Sequence, residues 1–220
     1  MKSITQQLAE MAQGLIKLQP EVSQPDGFYQ CFDSGGVECQ VGEFLYGMMR
    51  IMQPEQVLTT GIYTGISDMY IAQALKDNGH GASTAIEYEE HHINRAKELW
   101  SRVGVLDKIT VVHGSSLEYQ TDKKFDFIFL DTEPGIRFQE LVKFYDNLKY
   151  GGYFGIHDLP RTLCQGNFNP DHPEIKSYPY GDVPEVMKQL IKEDKLRLFH
   201  FQTPRGITFF YKPSQEDYKV

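Results

Sequence analysis

Apolar residues recur along this chain in two rhythms. In the first they return every three or four positions, as at Ile4, Leu8, Met11, Leu15 and Leu18, or at Phe44, Leu45, Met48, Met49 and Met52. That spacing lines one face of a helix, and it predicts helices over residues 4–18, 41–52, 67–78, 91–103, 136–148 and 183–193. In the second rhythm short apolar runs are bounded by turn residues. These predict strands at 57–60, 82–87, 109–113, 125–130, 153–156, 196–202 and 206–212. The run FDFIFL at 125–130 is almost continuously apolar, as a strand buried on both faces must be. Strands alternating with helices imply parallel pairing with helices on both faces. The last two strands, joined by Thr203-Pro204-Arg205, read instead as a hairpin. The expected fold class is therefore α/β: a seven-stranded, mostly parallel, Rossmann-like sheet with a C-terminal antiparallel hairpin and N-terminal helices. Residues 1–36 read as a helical extension and lid, and 37–220 as the main domain. Residues 19–36 carry two prolines and three glycines and no periodicity. Residues 159–180 carry four prolines, and the aromatic and proline residues of 166–181 suggest a second lid.

Composition narrows the function classes. A formal net charge of −8 argues against a nucleic-acid groove, which needs clustered Lys and Arg. No apolar run approaches a membrane span, and the polar N-terminus does not resemble a signal peptide. The three cysteines, Cys31, Cys39 and Cys164, form no paired framework, which fits a reducing, cytoplasmic setting.

In open parallel sheets ligands bind beyond the carboxyl ends of the strands, so the residues just after each strand carry the chemistry. After Thr60 comes a turn with Gly61 and Gly65, where bare backbone can approach a ligand, and then Ser67 as a candidate N-cap. Glu87 lies 26 residues beyond Gly61 at the end of the second strand. It suits either a ribose diol, with Tyr88 against an adenine, or a solvated loop acid. Ser115 and Ser116 follow the third strand, with a hydroxyl for an adenine nitrogen or for a plain turn. Asp131 and Asp158 end two strands that, if adjacent, lie about 4.8 Å apart. Two acids so close call for a cation or donor between them, and a divalent ion held by Asp131 and Asp158 is one solution. Capping or a bond to a loop is the other. His157 is the candidate general base, because its ordinary pKa is near neutral.

The segments VLTTGIYTGIS, TAIEYEE, KITVVHGSS, FDFIFLDTEP, LKYGGYFGIHD and TPRGITFFYK, in this order, resemble class I S-adenosylmethionine-dependent methyltransferases. They are most similar to the small O-methyltransferases of the catechol and caffeoyl-CoA type. The resemblance implies S-adenosyl-L-methionine as cofactor. With the residues read above, the expected binding set is Thr60, Gly61, Tyr63, Gly65, Ser67, Glu87, Tyr88, Ser115, Ser116 and Asp131. In this set Gly61, Tyr63 and Ser67 lie near the methionine, Glu87 on the ribose and Ser116 near the adenine. Of the candidate catalytic residues His157, Asp131 and Asp158, the resemblance implies only Asp131, as a wall of the site and a candidate metal ligand; Mg2+ or another divalent cation on the two aspartates is a further candidate. The expected partner is a small-molecule hydroxyl substrate, with no nucleic acid and no membrane, and the N-terminal helix offers a surface for a homodimer. Three positions depart from the family's pattern. Thr59 stands where the family has an acid, as in VLEIG. His157-Asp158 replaces Asp-Asn, and Pro134 replaces the lysine of DADK. The last change removes the lysine base, and the His-Asp pair looks like the related enzymes acting on sugar or natural-product hydroxyls. Two other classes stay open at this point: a non-catalytic partner that retains the fold, and an NAD-dependent oxidoreductase, although GIYTG lacks the GxGxxG spacing.

Overall fold

The computed structural model describes residues 2–21, 28–159 and 183–218. The expected lid over 166–181 lies outside them. The chain divides into two compact units, Met1–Ser115 and Ser116–Val220.

The first unit opens with α1, Ile4–Met11, started by a capping box between Ser3 and Gln6. The helix predicted to reach residue 18 stops at Met11, because Ala12 closes it and Gly14 takes a positive φ of 91°. The segment read as wholly irregular contains a short antiparallel pair, β1 (Gln19–Pro20) and β2 (Gln30–Cys31). Next come α2 (Cys39–Met52), β3 (Gln56–Thr60), α3 (Ile66–Asn78), β4 (Ala82–Glu87), α4 (Glu90–Val103) and β5 (Ile109–His113). α2 buries Val41, Leu45 and Met49 but leaves Phe44 39 % exposed, so its inner face is rotated from the expected one. β3 pairs with β4, and β4 with β5, both in parallel. Tyr70 and Trp100, both fully buried, fill the helical layer. Each such side chain stabilises the fold by roughly 1.5–3 kcal/mol through apolar burial.

The second unit contains β6 (Phe125–Leu130), α5 (Arg137–Phe144), β7 (Leu148–His157), α6 (Glu185–Lys192), β8 (Arg197–Phe201) and β9 (Ile207–Tyr211). β6 and β7 are parallel, and β7, β9 and β8 follow as antiparallel neighbours. β7 begins five residues earlier than its apolar run suggests. The helix before it ends at Phe144, since Asn147 turns the chain by donating to the carbonyls of Thr121 and Lys123. Phe127, Phe154, Phe209 and Phe210, from three neighbouring strands, are fully buried. The seven strands β3 to β9 make a mostly parallel sheet ending in an antiparallel hairpin. Among the described residues no helix is long and apolar enough to cross a membrane.

Candidate active site

In the first unit the turn between β3 and α3 is built on three positive φ angles, at Gly61 (79°), Tyr63 (48°) and Gly65 (77°). Gly65, not Ser67, caps α3. Ser67 lies in the first helical turn and is buried. A Cβ on Gly65 would stand 2.7 Å from Trp100 Nε1, the same nitrogen that donates to the Gly65 carbonyl at 2.8 Å. The turn is therefore pinned from below by an indole.

From above it is pinned by Glu87, which is only 7 % exposed and so is no solvated loop acid. Its Oε2 accepts from the amides of Ile62 (2.9 Å) and Tyr63 (3.0 Å). Its Oε1 accepts from those of Tyr88 (2.9 Å) and Glu89 (3.0 Å). A carboxylate has about four acceptor sites, and here main-chain donors fill them all. Tyr88 projects with 60 % of its surface exposed, while Tyr63 reaches Asp33 through its hydroxyl (3.3 Å) and sets its ring edge against His92. Among the described residues, the buried hydroxyls of Thr60 and Thr64 meet no hydrogen-bond partner. An unpaired buried hydroxyl costs about 1–3 kcal/mol, so these two atoms, flanking the turn, suit a polar ligand lying against it. Thr64 also lines a cavity of about 140 Å³ with Asp33, Arg95 and Leu99. Thr59, the position without the expected acid, donates to Asp68 at 2.6 Å, with both residues buried. The carboxylate at this place comes from the helix, not the strand. Sequence reasoning missed Asp68, although an acid in a first helical turn is a readable signal. Ser115 follows β5 in the first unit and is half-buried; Ser116 begins the second and is buried.

In the second unit Leu130 and Ile156 are register partners, so Asp131 and His157 leave β6 and β7 side by side. His157 Nδ1 lies 3.4 Å from Asp131 Oδ1 and 3.3 Å from Asp158 Oδ1, and the residue is 1 % exposed. Asp158 takes a φ of 55°, a left-handed turn uncommon outside glycine. The three predicted catalytic residues are thus brought together. Two further residues join them that the sequence reading did not single out. Arg137, buried at the start of α5, lies 3.2 Å from Asp131 Oδ1 and 3.4 Å from Asp158 Oδ2 through Nη2. It also donates from Nε to the Thr132 carbonyl (2.7 Å) and from Nη1 to the His157 carbonyl. Arg205, in the β8–β9 turn, places Nε 3.4 Å from Asp158 Oδ1. The one signal for them was the acid pair itself, which demands a nearby cation.

Asp131, His157 and Asp158 offer ligand atoms within 4.8 Å of one another, a spacing compatible with the divalent ion considered for the two aspartates. The charge of the set is not that of an open metal cage. Two carboxylates already face two guanidiniums, and Arg137 is engaged by both acids. The distances suit a divalent ion, but the charges do not.

The fold recurs in known proteins. The O-methyltransferase TomG from Streptomyces achromogenes, solved in complex with SAM, superposes with a TM-score of 0.68 at 18% identity, over 97% of this chain and 92% of its own. An O-methyltransferase from Bacillus cereus in complex with SAH gives 0.68 at 18% identity, over 96% and 92%. Caffeoyl-CoA O-methyltransferase 5 of Nicotiana tabacum is 27% identical over 179 residues, 76% of this chain and 72% of that one. A putative O-methyltransferase of Mycolicibacterium smegmatis is 27% identical over 167 residues, 74% of this chain and 76% of that one. The O-methyltransferase family model matches residues 30–212, and with most of the sequence so covered the chain belongs to the O-methyltransferase family.

Proposed function

We propose that this chain moves the methyl group of S-adenosyl-L-methionine onto a hydroxyl of a small molecule, with His157 as the general base. The observation that carries the reading is the cluster of Asp131, His157 and Asp158 at the carboxyl ends of β6 and β7. Its support is twofold: the family is one of O-methyl transfer, and TomG and the Bacillus cereus enzyme are solved with SAM and SAH. Family membership leaves no place for the hydride-transfer reading.

The donor is assigned to the β3–α3 turn and the end of β4. Gly61 and Gly65 let main chain approach the ligand. Thr60 and Thr64 have hydroxyls to offer, and Glu87 and Tyr88 are assigned to the ribose and adenine. Because the Glu87 carboxylate is filled by four amides, a ribose diol would share its oxygens with them rather than find them open. When bound, the sulfonium supplies an electrophilic methyl. The acceptor oxygen forms the new C–O bond as the C–S bond breaks, and S-adenosylhomocysteine leaves. The hydroxyl proton passes to His157, and the resulting imidazolium is stabilised by the carboxylates beside Nδ1. Much of the rate gain in such a displacement comes from orientation. Of the two routes to an activated hydroxyl, the base is preferred to a divalent ion because guanidiniums already face both acids.

The test is direct. Calorimetry should show S-adenosylmethionine binding and no NADH binding. With labelled methyl donor and a panel of phenolic and sugar hydroxyls, His157→Ala should lower turnover by about 100-fold or more while retaining donor affinity. A variant with near-full rate removes His157 from the role of base.

A further inference from the structure

The acidic cluster of the second unit carries its own cation. We infer that Arg137 is a positioning residue that stands in for a divalent ion between Asp131 and Asp158, so that this cluster takes up no metal. The inference rests on the site assigned above, but its test does not depend on methyl transfer.

Arg137 stands where local rules disfavour it. It is 3 % exposed, and it is the first residue of α5, at the end where a helix's own amides present positive partial charge. A buried guanidinium at that end persists only if specific partners hold it. All three of its nitrogens have them. Nε donates to the Thr132 carbonyl, Nη1 to the His157 carbonyl, and Nη2 lies at ion-pair distance from Asp131 and Asp158. Thr132 directly follows Asp131, and His157 directly precedes Asp158. The planar fork therefore grips the main chain beside each acid as well as the acid itself, which a point charge such as lysine cannot reproduce. It thereby fixes the separation of the two carboxylates that flank His157 Nδ1.

The charges lead to the same conclusion. Asp131 and Asp158 carry two negative charges; Arg137 and Arg205 carry two positive ones within 3.5 Å of them. A hard cation bonded to these oxygens at about 2.0–2.6 Å would face a guanidinium that two main-chain carbonyls prevent from turning away. Here the counter-charge is covalently part of the chain.

The experiment titrates the full chain with Mn2+ and reads the free ion by electron paramagnetic resonance. The wild type is expected to bind none at millimolar ion, and its melting temperature should be the same in EDTA and in Mg2+. Arg137→Met opens the cluster and is expected to bind a single Mn2+ at least about tenfold more tightly than the wild type. Adding D131N to that variant should abolish the gain, and Arg137→Lys, which keeps the charge but not the fork, should still bind no Mn2+. The inference is overturned if the wild type binds a Mn2+ that D131N removes, or if R137M, folded by circular dichroism, binds no more tightly than the wild type. Should R137M fail to fold, the wild-type and R137K titrations decide alone. S-adenosylmethionine calorimetry on the same sample separates the two claims. Ion uptake with donor bound sinks the inference alone, and no donor binding sinks the functional reading alone.

Discussion

Glu87 in the first unit and the Asp131–Asp158 pair in the second pose the same problem and solve it differently. Each places carboxylates at strand ends, Glu87 buried and the two aspartates partly so, where charge must be compensated. Glu87 is compensated by dipoles: four backbone amides, two of them its own successors in sequence. Asp131 and Asp158 are compensated by full charges, on side chains 6 and 47 residues downstream of the respective acid. Compensation by local backbone holds Glu87 through dipoles, with the His92 imidazole, 3.7 Å from Oε2, as the ionisable neighbour. Compensation by buried guanidiniums fixes the local charge balance and narrows what else the site can hold.

The comparison is broken most sharply at Arg137. Removing it as R137M leaves Asp131 without its guanidinium and Asp158 with that of Arg205 alone, and the chain should lose about 3 kcal/mol of stability in a urea titration. A loss below about 1 kcal/mol would mean the pair is solvated and the charge argument fails. Next comes Glu87→Gln. Its amide end cannot accept, so two of the four loop N–H groups lose their partner. A loss of about 1.5–3 kcal/mol is expected, together with weaker S-adenosylmethionine binding by calorimetry. Unchanged donor affinity would separate Glu87's structural role from the ribose. The smallest effect concerns pH. Burial is the largest cause that pushes the Cys39 thiol up to about 12 from 9.0, and burial likewise raises the Tyr70 hydroxyl. A raised folded pKa means the folded chain binds more protons than the unfolded one above pH 9, so stability falls as pH rises. Denaturation at pH 8 and pH 10 should show that fall, and Cys39→Ala should reduce its slope. An equal slope in the variant would assign the effect elsewhere.

What could be read without coordinates followed from short-range physics. The alternation of apolar runs and amphipathic faces placed the strands from residue 57 onward, because burial on a sheet imposes its period locally. It also fixed which residues stand at strand ends, and so named Gly61, Glu87, Asp131, His157 and Asp158. Local rules failed where the chain is weakly periodic. The 4–18 pattern overran Gly14, and Ser67 looked like a cap until a left-handed Gly65 took that place.

The sequence by itself determined the layered α/β class, the order of its elements and the identity of the acids at the strand ends, since each depends on neighbours a few positions away. Only the tertiary structure decided that Thr59 borrows the carboxylate of Asp68, that Glu87 is saturated by amides, and that Arg137 and Arg205 neutralise the second cluster. Those outcomes are set by which side chains meet through space. Electrostatic compensation requires proximity, and folding supplies that from residues that no sequence period links.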